Sequence, residues 1–217
     1  MIKHLIGVDV SHHNSKMQDL RAINDLDFVI MKASEGKSYR DRSLPIWLAH
    51  MDDDMLKGFY HFCRADNGNT PIEEADNFIG WTEYALDGSA LIALDVEAGA
   101  LKVRNIDKWC YEWCKYVYEK TGIKPLIYTS ESYCHLFKKC AEFGCGLWCA
   151  KWGKTPPKKI KPFEFTAIWQ YSSNTIFSGV RVDMNQFNGS REQFLKYCED
   201  LRNEGEDTND RGDRESV

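Results

Sequence analysis

The chain has 217 residues, 43% of them hydrophobic, enough for one sizeable core or two small ones and unlike a collagen, a coiled coil or a wholly disordered chain. Its formal charge is −5, but 203–217 holds six carboxylates and two arginines, so the preceding 202 residues carry only −1. A body this close to neutral lacks the broad basic face of a nucleic-acid binder and points to a small molecule or a polymer chain as substrate. The N-terminal apolar run is too short for a signal-peptide core and is broken by Asp9, and no segment approaches the roughly 18–20 apolar residues of a membrane span. The expectation is therefore a monomer made in the cytoplasm without a leader, with neither nucleic acid nor membrane as partner. Its eight cysteines read as reduced thiols.

In chain order, short apolar runs rich in Val, Ile and aromatic residues fall at 6–10, 28–32, 58–62, 90–96, 125–129, 147–151, 166–171 and 179–184. Helices are predicted between the first six, near 17–26 and at 44–56, 72–84, 105–121 and 130–143. The clearest is 105–121, where Ile106, Trp109, Cys110, Trp113, Val117 and Tyr118 make an apolar stripe and Gly122 a stop. After the sixth strand helices cease until a last one over 186–202, including 191–202, and 203–217 reads as a charged, disordered tail. The Arg-Gly-Asp at 211–213 is treated as part of that tail.

This order predicts an α/β fold: a TIM-like parallel barrel of eight strands with five helices, degenerate in its C-terminal third, filling 1–202 as one domain. An open doubly wound sheet is the alternative. Barrel chemistry sits at the C-terminal ends of strands. Those ends carry Asp9 and Ser11, Lys32 and Glu35, Tyr60 and His61, Asp95 and Glu97, Tyr128 and Thr129, Lys151 and Trp152, Gln170, and Asp183.

Within Leu94-Asp95-Val96-Glu97, period-2 alternation puts both acids on one face. Two carboxylates so close cannot both ionise freely, so one should hold its proton near neutral pH beside an ionised partner, as a general acid does. Asp9 and Asp183 end the first and last strands, which are neighbours in a closed barrel, making four carboxylates around one cleft. Tyr60, Phe62, Tyr128, Trp148, Trp152, Trp169 and Tyr171 stand near the same ends. Aromatic faces beside acids suit a sugar polymer, whose rings stack through C–H faces while acids bind hydroxyls. Trp81, Trp109 and Trp113 are assigned to packing.

Eight segments resemble the glycoside hydrolase family 25 muramidases, in that family's order over about residues 5–189: Gly7-Val-Asp9-Val-Ser11-His-His, Phe28-Val-Ile-Met-Lys32-Ala-Ser-Glu35-Gly36, Gly58-Phe-Tyr60-His61-Phe62, Leu94-Asp95-Val-Glu97, Pro125-Leu-Ile-Tyr128-Thr129, Leu147-Trp148-Cys-Ala150, Trp169-Gln170-Tyr171-Ser-Ser173 and Val182-Asp183-Met-Asn185-Gln-Phe187. The resemblance implies cleavage of the β-1,4 bond from N-acetylmuramic acid to N-acetylglucosamine in the peptidoglycan of the cell wall, outside the cell and by phage-type release if the chain has no leader. It makes Glu97 the general acid and Asp95 its partner at the substrate acetamido group, with Asp9 and Asp183 completing an acidic floor. Tyr60, Tyr128, Trp148, Gln170, Lys32 and Glu35 would contact substrate, and no metal or organic cofactor is implied. Trp152 departs from the pattern, which has a tyrosine at or near that place. The rivals are a non-catalytic glycan-binding barrel, another hexosaminidase, and a thiolate metal site among Cys110, Cys114, Cys140, Cys145 and Cys149.

Overall fold

The computed structural model describes residues 4–17, 20, 26–177, 179–199 and 201. Among these residues nine strands and five α-helices follow in the order β1 (Leu5–Val10), β2 (Phe28–Glu35), β3 (Tyr39–Arg40), α1 (Leu44–Ala49), β4 (Leu56–Phe62), α2 (Pro71–Thr82), β5 (Ala90–Asp95), α3 (Ile106–Thr121), β6 (Leu126–Ser130), α4 (Lys138–Phe143), β7 (Gly146–Ala150), β8 (Ile168–Phe177), β9 (Val180–Phe187) and α5 (Arg191–Lys196). The sheet order β1-β9-β8-β7-β6-β5-β4-β2, sealed by β1 pairing with β2, closes an eight-stranded barrel, with β3 attached to the outer part of β2. The expected barrel is there and the open sheet is not.

The barrel is not wholly parallel, which corrects the sequence reading. β9 runs antiparallel to both β8 and β1. Two residues separate β8 from β9. A parallel crossover needs a dozen or more, so this link can only be a hairpin. Asp183 therefore lies within β9, not at its C-terminal end. It reaches the same rim because the reversed strand brings its N-terminal half there, with Asp183 opposite Asp9 in the β1–β9 register.

The helices also differ in extent. The predicted 130–143 helix is a 3-10 turn (Glu131–Leu136) followed by α4, broken at Phe137. There the Asp107 carboxylate of α3 accepts both its bonds, at 3.0 Å, from the Lys139 backbone N–H and so starts α4 anew. Predicted 44–56 shortens to α1. The helix expected near 17–26 falls largely outside the described residues, as does the tail with its Arg-Gly-Asp. No helix among the described residues is long and apolar enough to cross a membrane.

Strand alternation sorts the core into two shells. Leu5, Phe28, Ile30, Leu56, Leu91, Ala93, Leu126, Ile168 and Phe187 pack together inside the barrel. Val8, Val29, Met31, Phe59, Ile92, Leu94, Ile127 and Leu147 face the helices, against Trp47, Phe78, Cys110 and Trp113. Bulky interior rings require absent neighbours. A Cβ on Gly7 would come within 2.5 Å of the Phe28 ring, and one on Gly58 within 2.6 Å of Leu91. All eight cysteines are buried free thiols, seven of them at 0–1% exposure and Cys145 at 6%. They pack as small apolar side chains. Among the described residues no three His, Cys, Asp or Glu side chains are arranged to hold a metal ion.

Candidate active site

The inward series that is apolar at the bottom of the barrel turns polar at its upper end. Two residues on from Gly7 comes Asp9, from Ile30 comes Lys32, from Gly58 comes Tyr60, from Ala93 comes Asp95, and from Leu126 comes Tyr128. All five, with Trp148, Asp183 and Glu97, line one cavity of about 590 Å³. Glu97 stands two residues beyond Asp95, just past the end of β5, and is half-buried. The following Ala98 has φ 49°, a left-handed turn unusual for a side chain with a Cβ. It leads into the 3-10 turn Ala100–Lys102, whose first N–H bonds the Glu97 carbonyl at 3.2 Å.

The four acids are held in different ways. Asp9 Oδ2 accepts from Asn185 Nδ2 (2.8 Å) and Gln170 Nε2 (3.0 Å), yet burial and the neighbouring Asp183 push its carboxyl up to about 7. Asp183 is raised by burial, against the pull of Arg181. Asp95 is 7% exposed, its Oδ1 has no hydrogen-bond partner, and burial followed by the Glu97 charge holds its carboxyl well above the usual range. Glu97 is raised too, by burial and then by Asp183. Lys32 opposes the rise at both Asp95 and Glu97. The expected raised carboxyl is thus present, but the rise extends to all four acids. Tyr60 and Tyr128 are pushed well above the ordinary phenol range by burial and the surrounding carboxylates, so both keep their O–H.

Of the expected substrate contacts, Tyr60, Tyr128, Trp148 and Lys32 line the cavity, whereas Gln170 and Glu35 do not. Gln170 is 1% exposed and spends its amide inside the protein. Its Oε1 accepts from Tyr128 Oη (3.0 Å) and Trp152 Nε1 (3.2 Å), and its Nε2 donates to Asp9 and, at 3.3 Å, to Asp183. Glu35 accepts from Lys32 Nζ (2.7 Å) and Arg64 Nη1 (2.8 Å). A bulge between Lys32 and Ser34 turns Ser34 toward His61 on the outer face and leaves Glu35 beside Lys32. Both residues bond other site residues: Gln170 holds Tyr128, Trp152, Asp9 and Asp183, and Glu35 holds Lys32 and Arg64.

Among the other strand-end residues, Ser11 and Trp152 line the cavity, while Thr129 and His61 face outward, Thr129 Oγ1 donating to the Val96 carbonyl and His61 bonding Glu74. Phe62 lines the cavity, but Trp169 and Tyr171 pair with each other at 5.6 Å. Trp113 is fully buried, stacked on His61 at 5.5 Å. His13, Asn14 and Arg181 line the cavity without having been singled out. They sit on the 3-10 turn after β1 and the β8–β9 hairpin, joined by Asn14 Nδ2 donating to the Arg181 carbonyl at 2.7 Å. That contact spans 167 positions in sequence and leaves no local pattern to read.

A family model described as glycosyl hydrolases family 25 matches residues 8–180. An uncharacterized Escherichia coli O157:H7 protein, YegX, is 26% identical over 207 residues, covering 90% of this chain and 74% of that one. The bacterial lysozyme from Streptomyces coelicolor superposes with a TM-score of 0.78 at 24% identity, covering 92% of this chain and 99% of that one. A family GH25 lysozyme from Aspergillus fumigatus gives 0.73 at 24%, covering 91% and 100%.

Proposed function

The chain belongs to glycosyl hydrolases family 25 and is a glycoside hydrolase; from that premise we propose that it is an N-acetylmuramidase, cutting the β-1,4 bond between N-acetylmuramic acid and N-acetylglucosamine in peptidoglycan. The observation that carries the reading is the pairing at the end of β5 of a buried carboxyl with an unpartnered oxygen, Asp95, and a half-exposed carboxyl of raised proton affinity, Glu97, in an aromatic-lined cavity. The names of the structural relatives, lysozymes from a bacterium and a fungus, support it.

Glu97 keeps its proton to higher pH than an ordinary glutamic acid and gives it to the leaving glycosidic oxygen. The substrate's 2-acetamido carbonyl oxygen attacks the anomeric carbon as the C–O bond breaks, and its N–H donates to the vacant Asp95 Oδ1. Burial disfavours charge on Asp95. The positive charge that develops on the acetamido group favours it, so the interaction strengthens on the way to the transition state. Glu97, now a carboxylate, takes a proton from water, which attacks the same carbon as its bond to the acetamido oxygen breaks, regenerating the neutral acetamido group and restoring the configuration. Tyr60, Tyr128 and Trp148 offer O–H groups and ring faces to the sugars, and Lys32 limits the rise of both acids. Asp9 and Asp183 complete the acidic floor. The enzyme acts at the cell wall.

Digested peptidoglycan, reduced with borohydride and hydrolysed, should yield muramicitol, the reduced form of a newly exposed muramic acid end. Glucosaminitol in its place would assign the chain to another hexosaminidase. No new ends, with measurable wall binding, would support the glycan-binding reading.

A further inference from the structure

Trp152 is 65% exposed, the most exposed large apolar side chain among the described residues, yet it is among the most firmly held. The Lys151 N–H donates to the Gln170 carbonyl (3.1 Å), the Gly153 N–H to the Tyr171 carbonyl (2.9 Å), and Trp169 Nε1 to the Lys151 carbonyl (2.7 Å). These bonds clamp the backbone on both sides of Trp152. Its own Nε1–H donates to Gln170 Oε1 at 3.2 Å. Gln170 cannot turn away, because its oxygen also serves Tyr128 and its nitrogen serves Asp9 and Asp183. The indole is thus pinned by its polar edge while most of its surface stays open, and it lines the cavity that holds the four acids. Folding gains little from this arrangement, since an exposed indole forgoes most of the burial energy of a large aromatic.

We propose that Trp152 is a preformed stacking platform for one pyranose ring of the glycan, and that it sets affinity for the polymer without taking part in bond cleavage. The proposal deepens the muramidase reading and rests on it for the identity of the glycan. A pyranose carries axial C–H groups on one face and hydroxyls on its rim. Stacked on Trp152, it directs that rim toward Asp9 and Asp183, which Gln170 ties to the same indole. Because the indole is already fixed, little freedom is lost when the ring arrives.

The test uses the Glu97→Gln protein, so that the probe is not consumed, and a soluble tetrasaccharide of alternating N-acetylglucosamine and N-acetylmuramic acid. Binding should change the tryptophan emission. Adding Trp152→Ala should weaken binding, read by titration calorimetry, about tenfold or more, the loss of roughly one stacked ring, and diminish that change. Trp152→Phe, which keeps a ring face and loses the N–H, should stay within about threefold of the parent. In the active enzyme, Trp152→Ala should raise KM for peptidoglycan about tenfold with kcat within about twofold. Alanine binding within twofold of the parent overturns the platform, as does a phenylalanine variant as weak as alanine. Wall cleavage by the native enzyme with KM unchanged in Trp152→Ala overturns the platform and keeps the muramidase reading. Trp152-dependent sugar binding without any cleavage by the native protein does the reverse.

Discussion

Two polar clusters stand back to back on the upper ends of β2, β4 and β5, one facing the helices and one facing the cavity. On the outer side, His61 Nδ1 meets Ser34 Oγ at 2.8 Å and its Nε2 meets Glu74 Oε2 at 2.9 Å. Glu74 also accepts from the Arg64 N–H (3.0 Å) and Asn69 Nδ2 (2.8 Å). Ser34, His61 and Glu74 are each 0% exposed. Burial lowers the His61 pKa, so a neutral ring donates from Nε2 to Glu74 and accepts the Ser34 hydroxyl at Nδ1. On the inner side, Asp95 is nearly as buried, yet one of its oxygens has no partner, and the charges of Glu97 and Asp9 act on it against that of Lys32. The outer cluster is complete and serves the fold. The inner one leaves Asp95 Oδ1 without a hydrogen-bond partner from the protein.

The largest stability effect should come from breaking the finished cluster. Glu74→Ala strands His61, the Arg64 N–H and Asn69, and should cost about 3–5 kcal/mol in a urea melt while leaving activity per folded molecule nearly intact at low temperature. Loss of activity with an unchanged urea midpoint would erase the distinction between the two sides. Asp95→Asn should behave in the opposite way, abolishing activity at little or no cost in stability. The sign follows from linkage. A carboxyl whose folded pKa is raised binds more protons folded than unfolded, so the native protein loses stability as pH rises above the unfolded value. For Asp9 that window runs from 3.8 to about 7; for Asp95 it opens at the same value, 3.8, and extends well upward. Thermal melts should therefore show Asp95→Asn gaining on the native protein between pH 4 and pH 8, by about 2–4 °C for each ~1 kcal/mol. A growing deficit over that range would mean that the inner carboxyl is satisfied after all. The smallest effect concerns Lys32. Because it pulls down both Asp95 and Glu97, Lys32→Met should move the alkaline limb of kcat/KM to higher pH. A limb that stays put or moves down would remove Lys32 from the electrostatics of the site.

Much of the inner cluster could be read from the chain because it obeys period two. Asp95 and Glu97 flank Val96, Tyr60 follows Gly58, and Tyr128 follows Leu126, so a correct strand assignment already selects the cavity wall. Asp9 and Asp183 were placed together by barrel closure, although the reversed sense of β9 was missed: a run of apolar residues does not state its direction, and only the shortness of the link to β8 does. Pairings between distant residues were not legible. The spacing of Lys32 and Glu35 reads as two residues at one strand end, and only the bulge between them shows that Glu35 is occupied by Lys32 and Arg64. The four internal bonds of Gln170 likewise leave no trace in the local sequence. His61 and Tyr60 are adjacent in sequence and serve opposite faces.

On the proposed reading the inner carboxyls are reserved for catalysis, with Glu97 as the acid. The most direct test is the clearing of purified peptidoglycan by Glu97→Gln, measured beside its melting temperature. Clearing should fall by at least about 10²–10⁴-fold with the melting temperature unchanged within about 2 °C, whereas near-normal clearing by a folded variant would contradict the assignment.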